Sequence, residues 1–251
     1  MRYFIRLSYD GTAYHGWQVQ ENAVTVQAVL EEALRLRAGM KGSVTGCGRT
    51  DSGVHAGEFY AHFDLEKANH EFDAGELCNR LNSYLPDDIA VQRIFPVQPG
   101  AHSRFHAVSR TYKYYISRVK DPFERAYSWH YYASLDTDAM QRAAVILYEY
   151  NDFTSFSKLH SNVRTNNCSI SHAAWTEKDN RLIFTVTADR FLRNMVRALV
   201  GTFVQVGRGR LTPDGFRKVI ESKDRSNAGV SAPACGLFLH QVGYNWDEIL
   251  L

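Results

Sequence analysis

Residues 2–9 read Arg2-Tyr3-Phe4-Ile5-Arg6-Leu7-Ser8-Tyr9, and this stretch, with the residues up to Phe95, decides the fold. Its partial alternation and its share of Tyr, Phe and Ile predict a strand. Val26, Val29, Leu30, Ala33 and Leu34 come next at helical spacing, an apolar stripe on a helix of about three to four turns. A short strand is expected at residues 43–45, then a longer one over 54–65 with Phe59, Ala61 and Phe63 on one face. Residues 72–84 are expected to be helical, stopping before Pro86, whose ring disfavours helix in the residue ahead of it. Residues 89–95 return to strand. The order βαββαβ is the split βαβ or ferredoxin-like pattern.

The rest of the chain repeats the rhythm. Residues 110–118 read as a strand, and 136–148 as a helix whose apolar groups come mostly from Leu135, Ala139, Ala143, Val145 and Leu147. Residues 168–177 and 181–188 form an expected hairpin joined at Lys178-Asp179-Asn180. Residues 191–206 predict a long apolar helix that carries Arg190, Arg193 and Arg197, spaced three and four apart, on one face. Thr212 is a natural N-cap before Pro213 at the first helical position, opening a helix to about Glu221. Residues 237–244 close as a strand. The expected class is α+β, two ferredoxin-like lobes over residues 1–105 and 106–251, sharing one mixed or antiparallel sheet.

With 251 residues, 45% hydrophobic and 22% charged, the chain has the balance of a globular protein with one large core or two small lobes. Lys and Arg number 29 against 27 Asp and Glu, a net charge of +2. That excludes a histone-like binder and an acidic disordered tail, so any nucleic-acid site must be a local patch. No apolar run reaches the roughly 18 residues that span a bilayer, and the first residues lack the apolar core of a signal peptide. Cys47, Cys78, Cys168 and Cys235 are far apart, a poor framework for zinc or disulfides. A reduced, cytoplasmic protein is the expectation, with no membrane partner.

The chemistry concentrates in Gly46-Cys47-Gly48-Arg49-Thr50-Asp51-Ser52-Gly53-Val54-His55, which joins two predicted strands. Glycines admit close backbone approach and positive φ, and a carboxylate held there can serve as nucleophile or general base. Alone, an Asp in such a turn more often caps backbone N–H groups. The lysine that ends a phosphate-binding loop is missing. Three other segments change the weighting. Tyr9-Asp10-Gly11-Thr12-Ala13-Tyr14-His15-Gly16-Trp17-Gln18 is a second glycine-punctuated loop, Phe105-His106 through Tyr114-Tyr115 interleaves bases with aromatics, and the arginines from Arg190 onward recur. Cations meet phosphates and flat rings stack on unpaired bases, a combination suited to RNA.

Together these segments resemble the TruA family of tRNA pseudouridine synthases. The resemblance rests on Tyr9-Asp10-Gly11-Thr12, Gly16-Trp17-Gln18, Gly48-Arg49-Thr50-Asp51-Ser52-Gly53-Val54-His55, Leu85-Pro86-Asp87-Asp88, Phe105-His106-Ala107 and Arg110-Thr111-Tyr112-Lys113-Tyr114. It continues through Asn151-Asp152-Phe153, Asn194-Met195-Val196-Arg197 and Ala232-Pro233-Ala234-Cys235-Gly236-Leu237, nearly the whole chain. It implies the pseudouridine synthase fold, two lobes with a central, mainly antiparallel sheet. It also implies isomerisation of uridines 38, 39 and 40 in the tRNA anticodon arm, no cofactor, no metal and a homodimer.

By the same resemblance Asp51 is the nucleophile, and Arg49 assists base flipping. Tyr112 contacts the target base, with Thr111 standing where some relatives carry Arg. Leu237 lines the uracil pocket, and a plain core leucine is an equal reading of it. A buried carboxylate wants a cation, since burial favours its neutral form; Arg197 is the matching arginine. Relatives carry a more basic run where this chain has Ser161-Asn162-Val163-Arg164-Thr165-Asn166-Asn167-Cys168, and Arg208 and Arg210 are candidates to replace its phosphate contacts. Cys47 is expected to be a packing residue, and His15, His55 and His106 to serve loop hydrogen bonds. Two rivals remain: a non-catalytic RNA-binding module, which leaves the Asp51 loop without a task, and a glycosidic hydrolase, which would release free uracil.

Overall fold

A computed structural model describes residues 1–65, 73–158 and 165–251. The chain forms two compact units, Met1–Val108 with Leu239–Leu251, and Ser109–Phe238. Among the described residues are nine strands, nearly all paired antiparallel, and six α-helices, an α+β fold as expected.

The first unit opens with β1 (Arg2–Tyr9), α1 (Val26–Ala38), β2 (Thr45–Gly46), β3 (His55–Asp64), α2 (Ala74–Asn82) and β4 (Ile89–Val97), the predicted βαββαβ order. β1 lies between β3 and β4, antiparallel to both, and β2 pairs with β3 through Thr45↔His62 and Gly46↔Ala61. β3 is buried on both faces, Phe59, Ala61 and Phe63 on one and Tyr60 and His62 on the other. α1 begins where Thr25 caps the Ala28 N–H, and ends at Gly39 in the left-handed region. α2 starts later than expected. Asp73 takes the N–H groups of Gly75 and Glu76 and so sets its first turn, while Phe72 lies outside the described residues.

In the second unit, β5 (Ala107–Ser117, whose first two residues belong to the first unit) pairs antiparallel with β8 (Arg181–Ala188), and β8 with β7 (Ile170–Lys178). A two-residue strand, β6 (Trp129–His130), runs parallel to β5. Asp179 and Asn180 both take positive φ, +50° and +59°, the backbone that a two-residue hairpin demands. β8 alternates without fault, with Leu182, Phe184, Val186 and Ala188 buried. Around it pack α3 (Thr137–Ile146), α4 (Met195–Gly207) and α5 (Pro213–Glu221), α5 opened by the Thr212 cap. A chain of rings fills the core: Trp175, Phe184, Phe203 and Phe216, with neighbouring centroids 4.9–5.1 Å apart. Val145, expected on the apolar side of α3, is exposed; Met140, Ala144 and Ile146 complete the buried face.

One expectation needs correction. The helix predicted over 191–206 begins only at Met195. Asn194 sits in the left-handed region at φ +66°, and the Asp189 carboxylate takes the N–H groups of Ser169 and Arg190, holding the chain in a turn. Arg190 and Arg193 therefore precede α4, and only Arg197 lies on it. The one-face arginine stripe does not form.

The last strand, β9 (Leu237–Tyr244), is followed by the short α6 (Trp246–Ile249). From Leu239 on, this segment belongs to the first unit. There β9 lies beside β3. The Tyr244 hydroxyl donates to Ser103 O at 2.5 Å, and Val242 N–H to Glu58 Oε1 at 3.0 Å. Tyr244 and Trp246 also pack against Tyr60. Among the described residues no helix is long and apolar enough to cross a membrane.

Candidate active site

In the first unit, residues 47–54 join β2 to β3. Cys47 is fully buried and its N–H donates to Tyr60 O at 2.7 Å, so the loop begins as an extension of the ladder. It ends in a tight turn: Val54 N–H donates to Asp51 O at 3.1 Å, and Gly53 takes φ +75°. Asp51 is half-buried at the start of that turn, and Arg49 is exposed two residues earlier.

A second loop, residues 10–18, fastens this turn. Trp17 N–H donates to Thr50 O at 3.3 Å, and Gly53 N–H and Ser52 Oγ both donate to Tyr14 O, at 3.2 and 3.3 Å. The hydroxyls of Tyr9 and Thr50 meet at 2.8 Å. The approach is too close for side chains. A Cβ on Gly16, which also has φ +86°, would stand 2.3 Å from Thr50 O, and one on Gly11 would stand 2.0 Å from Val54 O. His55 is buried, with Nδ1 3.1 Å from the Gly11 nitrogen and 3.0 Å from Asp10 Oδ1, a loop contact of the kind expected of it. Burial and the Asp88 carboxylate, 2.5 Å from its hydroxyl, push the Tyr14 phenol far up, so Tyr14 stays protonated.

In the second unit, Arg197 is the third residue of α4 and half-buried. Its Nε donates to Ala232 O at 2.7 Å, while Ala232 N–H donates to Arg197 O at 2.9 Å. A strap of chain over residues 228–233 thus clamps the arginine at both ends. Glycine allows the strap to lie on the helix: a Cβ on Gly201 would stand 1.8 Å from Val230 O. Gly229 N–H donates to Thr202 Oγ1 at 2.9 Å, and Ser231 Oγ accepts from Asn194 and Arg225. The Tyr114 hydroxyl donates to Pro233 O at 2.8 Å. Burial raises the Tyr114 phenol strongly and the Cys235 thiol as well, with Arg197 pulling both the other way. Both groups stay neutral near pH 7.

Leu237 follows Gly236, whose Cα lies so close to Tyr114 that a Cβ would meet the ring at 2.7 Å. Leu237 itself is buried. Tyr112 lies two residues before Tyr114, on the same face of β5, half-buried and edge-on to Phe191 at 5.0 Å. Beside it the Thr111 hydroxyl meets that of Thr187 at 2.8 Å. The second unit therefore gathers Arg197, Leu237 and the Tyr112 face of β5, and the first gathers Asp51 and Arg49. Arg208 and Arg210 are exposed past the end of α4. Residues 161–164 of the asparagine-rich run lie outside the described residues. Sequence reasoning missed the Tyr9–Thr50 pair and the strap; a glycine inside a largely apolar helix, Gly201, was the available signal for the strap.

A family model described as tRNA pseudouridine synthase matches residues 143–245. Such enzymes are isomerases acting on RNA. A tRNA pseudouridine synthase A of Bacteroides thetaiotaomicron is 54% identical over 98% of this chain and 91% of its own. One of Parabacteroides distasonis is 54% identical over 97% and 96%, and one of Clostridium acetobutylicum 42% identical over 96% and 98%. The chain belongs to the tRNA pseudouridine synthase A family. Its substrate is tRNA, and its reaction is the isomerisation of uridine to pseudouridine.

Proposed function

We propose that this enzyme acts on uridines 38, 39 and 40 of the tRNA anticodon arm, as a homodimer, with Asp51 as nucleophile. The carrying observation is the turn at Asp51, fixed by backbone and hydroxyl contacts to the loop of residues 10–18. Such fixation holds a carboxylate in one place while a substrate is brought to it.

The reaction is balanced without any cofactor. Asp51 attacks C1′ as the N1–C1′ bond breaks, the uracil turns, C5 bonds to C1′ and expels the carboxylate, the C5 proton leaves to water, and N1 takes up one proton from water in exchange. The target base must first leave the stack, at a cost of about a few kcal/mol. Arg49, exposed beside Asp51, is assigned to occupy the space the base vacates. Tyr112 is assigned to contact the base, Leu237 to line the uracil pocket, and Arg197 to be the counter-charge of Asp51. The clamp on Arg197 supports that last role, because it fixes the stem that carries the guanidinium.

The test is tritium release from tRNA labelled at uridine C5, with modified positions then mapped by primer extension. Wild type should release tritium and mark positions 38–40. Asp51→Ala should bind tRNA and release none. A folded wild type that binds tRNA without release would overturn the assignment, and free uracil in the supernatant would replace isomerisation by hydrolysis.

A further inference from the structure

Among the described residues of the first unit, the most exposed aromatic ring is that of Phe105, 75% accessible. It does not sit on a loose segment. Ser103 is fully buried, its hydroxyl donating to Thr45 O at 2.7 Å and meeting His62 Nδ1 at 3.0 Å, and Tyr244 donates to its carbonyl. His102 Nδ1 lies within 3.1 and 3.3 Å of the N–H groups of Arg104 and Phe105, and His106 closes the turn by taking the His102 N–H at 2.8 Å. The ring is backed on one side by the His102 imidazole, centroids 4.2 Å apart and 31° from parallel. The Arg104 guanidinium lies 5.8 Å from the ring centroid.

We propose that Phe105 is a stacking platform for an unpaired base of the substrate tRNA, outside the reacting centre. Burying the open part of a large ring against a flat partner is favourable. Here hydrogen bonds on both sides of the residue hold the ring out in water, with the His102 imidazole packed against it. Every base has a π-face, so such a platform recognises an unpaired base without reading its sequence. The cation beside the ring suits the phosphate that accompanies the base. His102 favours its neutral form, which burial and the nearby Arg2 both promote, so the backing ring adds no charge of its own.

The anchor of this loop stands at the opposite end of β3 from the residue that follows the Asp51 turn. His62, which anchors the loop, lies seven residues along β3 from His55, about 23 Å at strand rise. The platform should therefore act on binding. The proposal rests on tRNA being the substrate and not on the role of Asp51.

The experiment measures equilibrium binding of unmodified tRNA to the full-length wild type, Phe105→Ala, Phe105→Leu and Phe105→Trp, with steady-state kinetics on each. Phe105→Ala should weaken binding about 10-fold, the loss appearing in KM, and Phe105→Trp should restore it while Phe105→Leu does not. Unchanged binding in Phe105→Ala would overturn the proposal. So would full recovery with Leu, which marks plain apolar contact. Sedimentation completes the test: if Phe105→Ala breaks an oligomer, the ring belongs to an interface between copies and the proposal falls. Wild-type tritium release is scored separately, so failure of the Asp51 assignment leaves this result standing.

Discussion

The turn at Asp51 and the strap over Arg197 solve one problem in two ways. Both hold a charged side chain by pressing backbone on backbone where only glycine fits, at Gly16 and Gly11 in one case and Gly201 in the other. The turn at Asp51 is loop against loop. It has no regular ladder of its own and depends on many small polar contacts: the Tyr9 and Thr50 hydroxyls, Tyr14 O, and His55 with Asp10. The strap lies on a helix buried on nearly every side, and a pair of reciprocal bonds completes it. A carboxylate on a loop needs dispersed tethers; a cation on a buried helix needs one clamp.

The largest test of that contrast is Arg197→Ala. If the arginine serves Asp51, turnover should fall by about 10²-fold or more while tRNA binding falls far less, read from single-turnover rates and a binding isotherm. Equal losses in both would break the assignment.

Next in size are the glycines. Gly201→Ala forces a methyl group against Val230 O and should cost about 2–4 kcal/mol of stability. Gly16→Ala adds a left-handed backbone to a clash with Thr50 O and should cost about the same. Gly48→Ala, in open space, should change stability by less than about 0.5 kcal/mol. Denaturation midpoints decide all three, and a tolerated Gly201→Ala would mean the strap lifts freely.

A buried histidine makes the first unit sensitive to acid. His62 is pushed down to about 4 by burial, with help from His102 and Arg2. The unfolded chain takes up its proton near pH 6.5, the folded chain only near 4. Stability from this group is therefore whole above about pH 6.5 and drains as pH falls toward 4, by at most roughly 1.4 kcal/mol per pH unit. His62→Gln should flatten that slope in urea titrations at about pH 7, 5.5 and 4.5. Among the tethers themselves the smallest loss belongs to Tyr9→Phe, which leaves the Thr50 hydroxyl without its ring partner and should cost about 1 kcal/mol.

Much of this was legible in the residues. Strict alternation gave β8, and the Thr212-Pro213 pair gave the start of α5, because both signals are local. The start of α4 is not legible, since Phe191 and Leu192 continue the apolar run, while Asn194, in the left-handed region, bonds through its side chain to the distant Ser231. β6 and α6 have two and four residues, too few to show a period. At the site, glycine punctuation marked the Asp51 loop, but the roles of its residues came from family resemblance. The meeting of Tyr9 with Thr50 joins positions 41 apart in the chain, and no spacing rule reaches that far.

The return of β9 to the first unit has a consequence in time. Some 130 residues separate Val108 from Leu239. At about 5–20 residues per second, a ribosome needs about 7–26 s to make them. For that interval the nascent first unit lacks the tyrosine that holds Ser103 and the segment that lies beside β3. The part of the chain made first is among the last to be finished, and until then its open strand edge is a guest for chaperones.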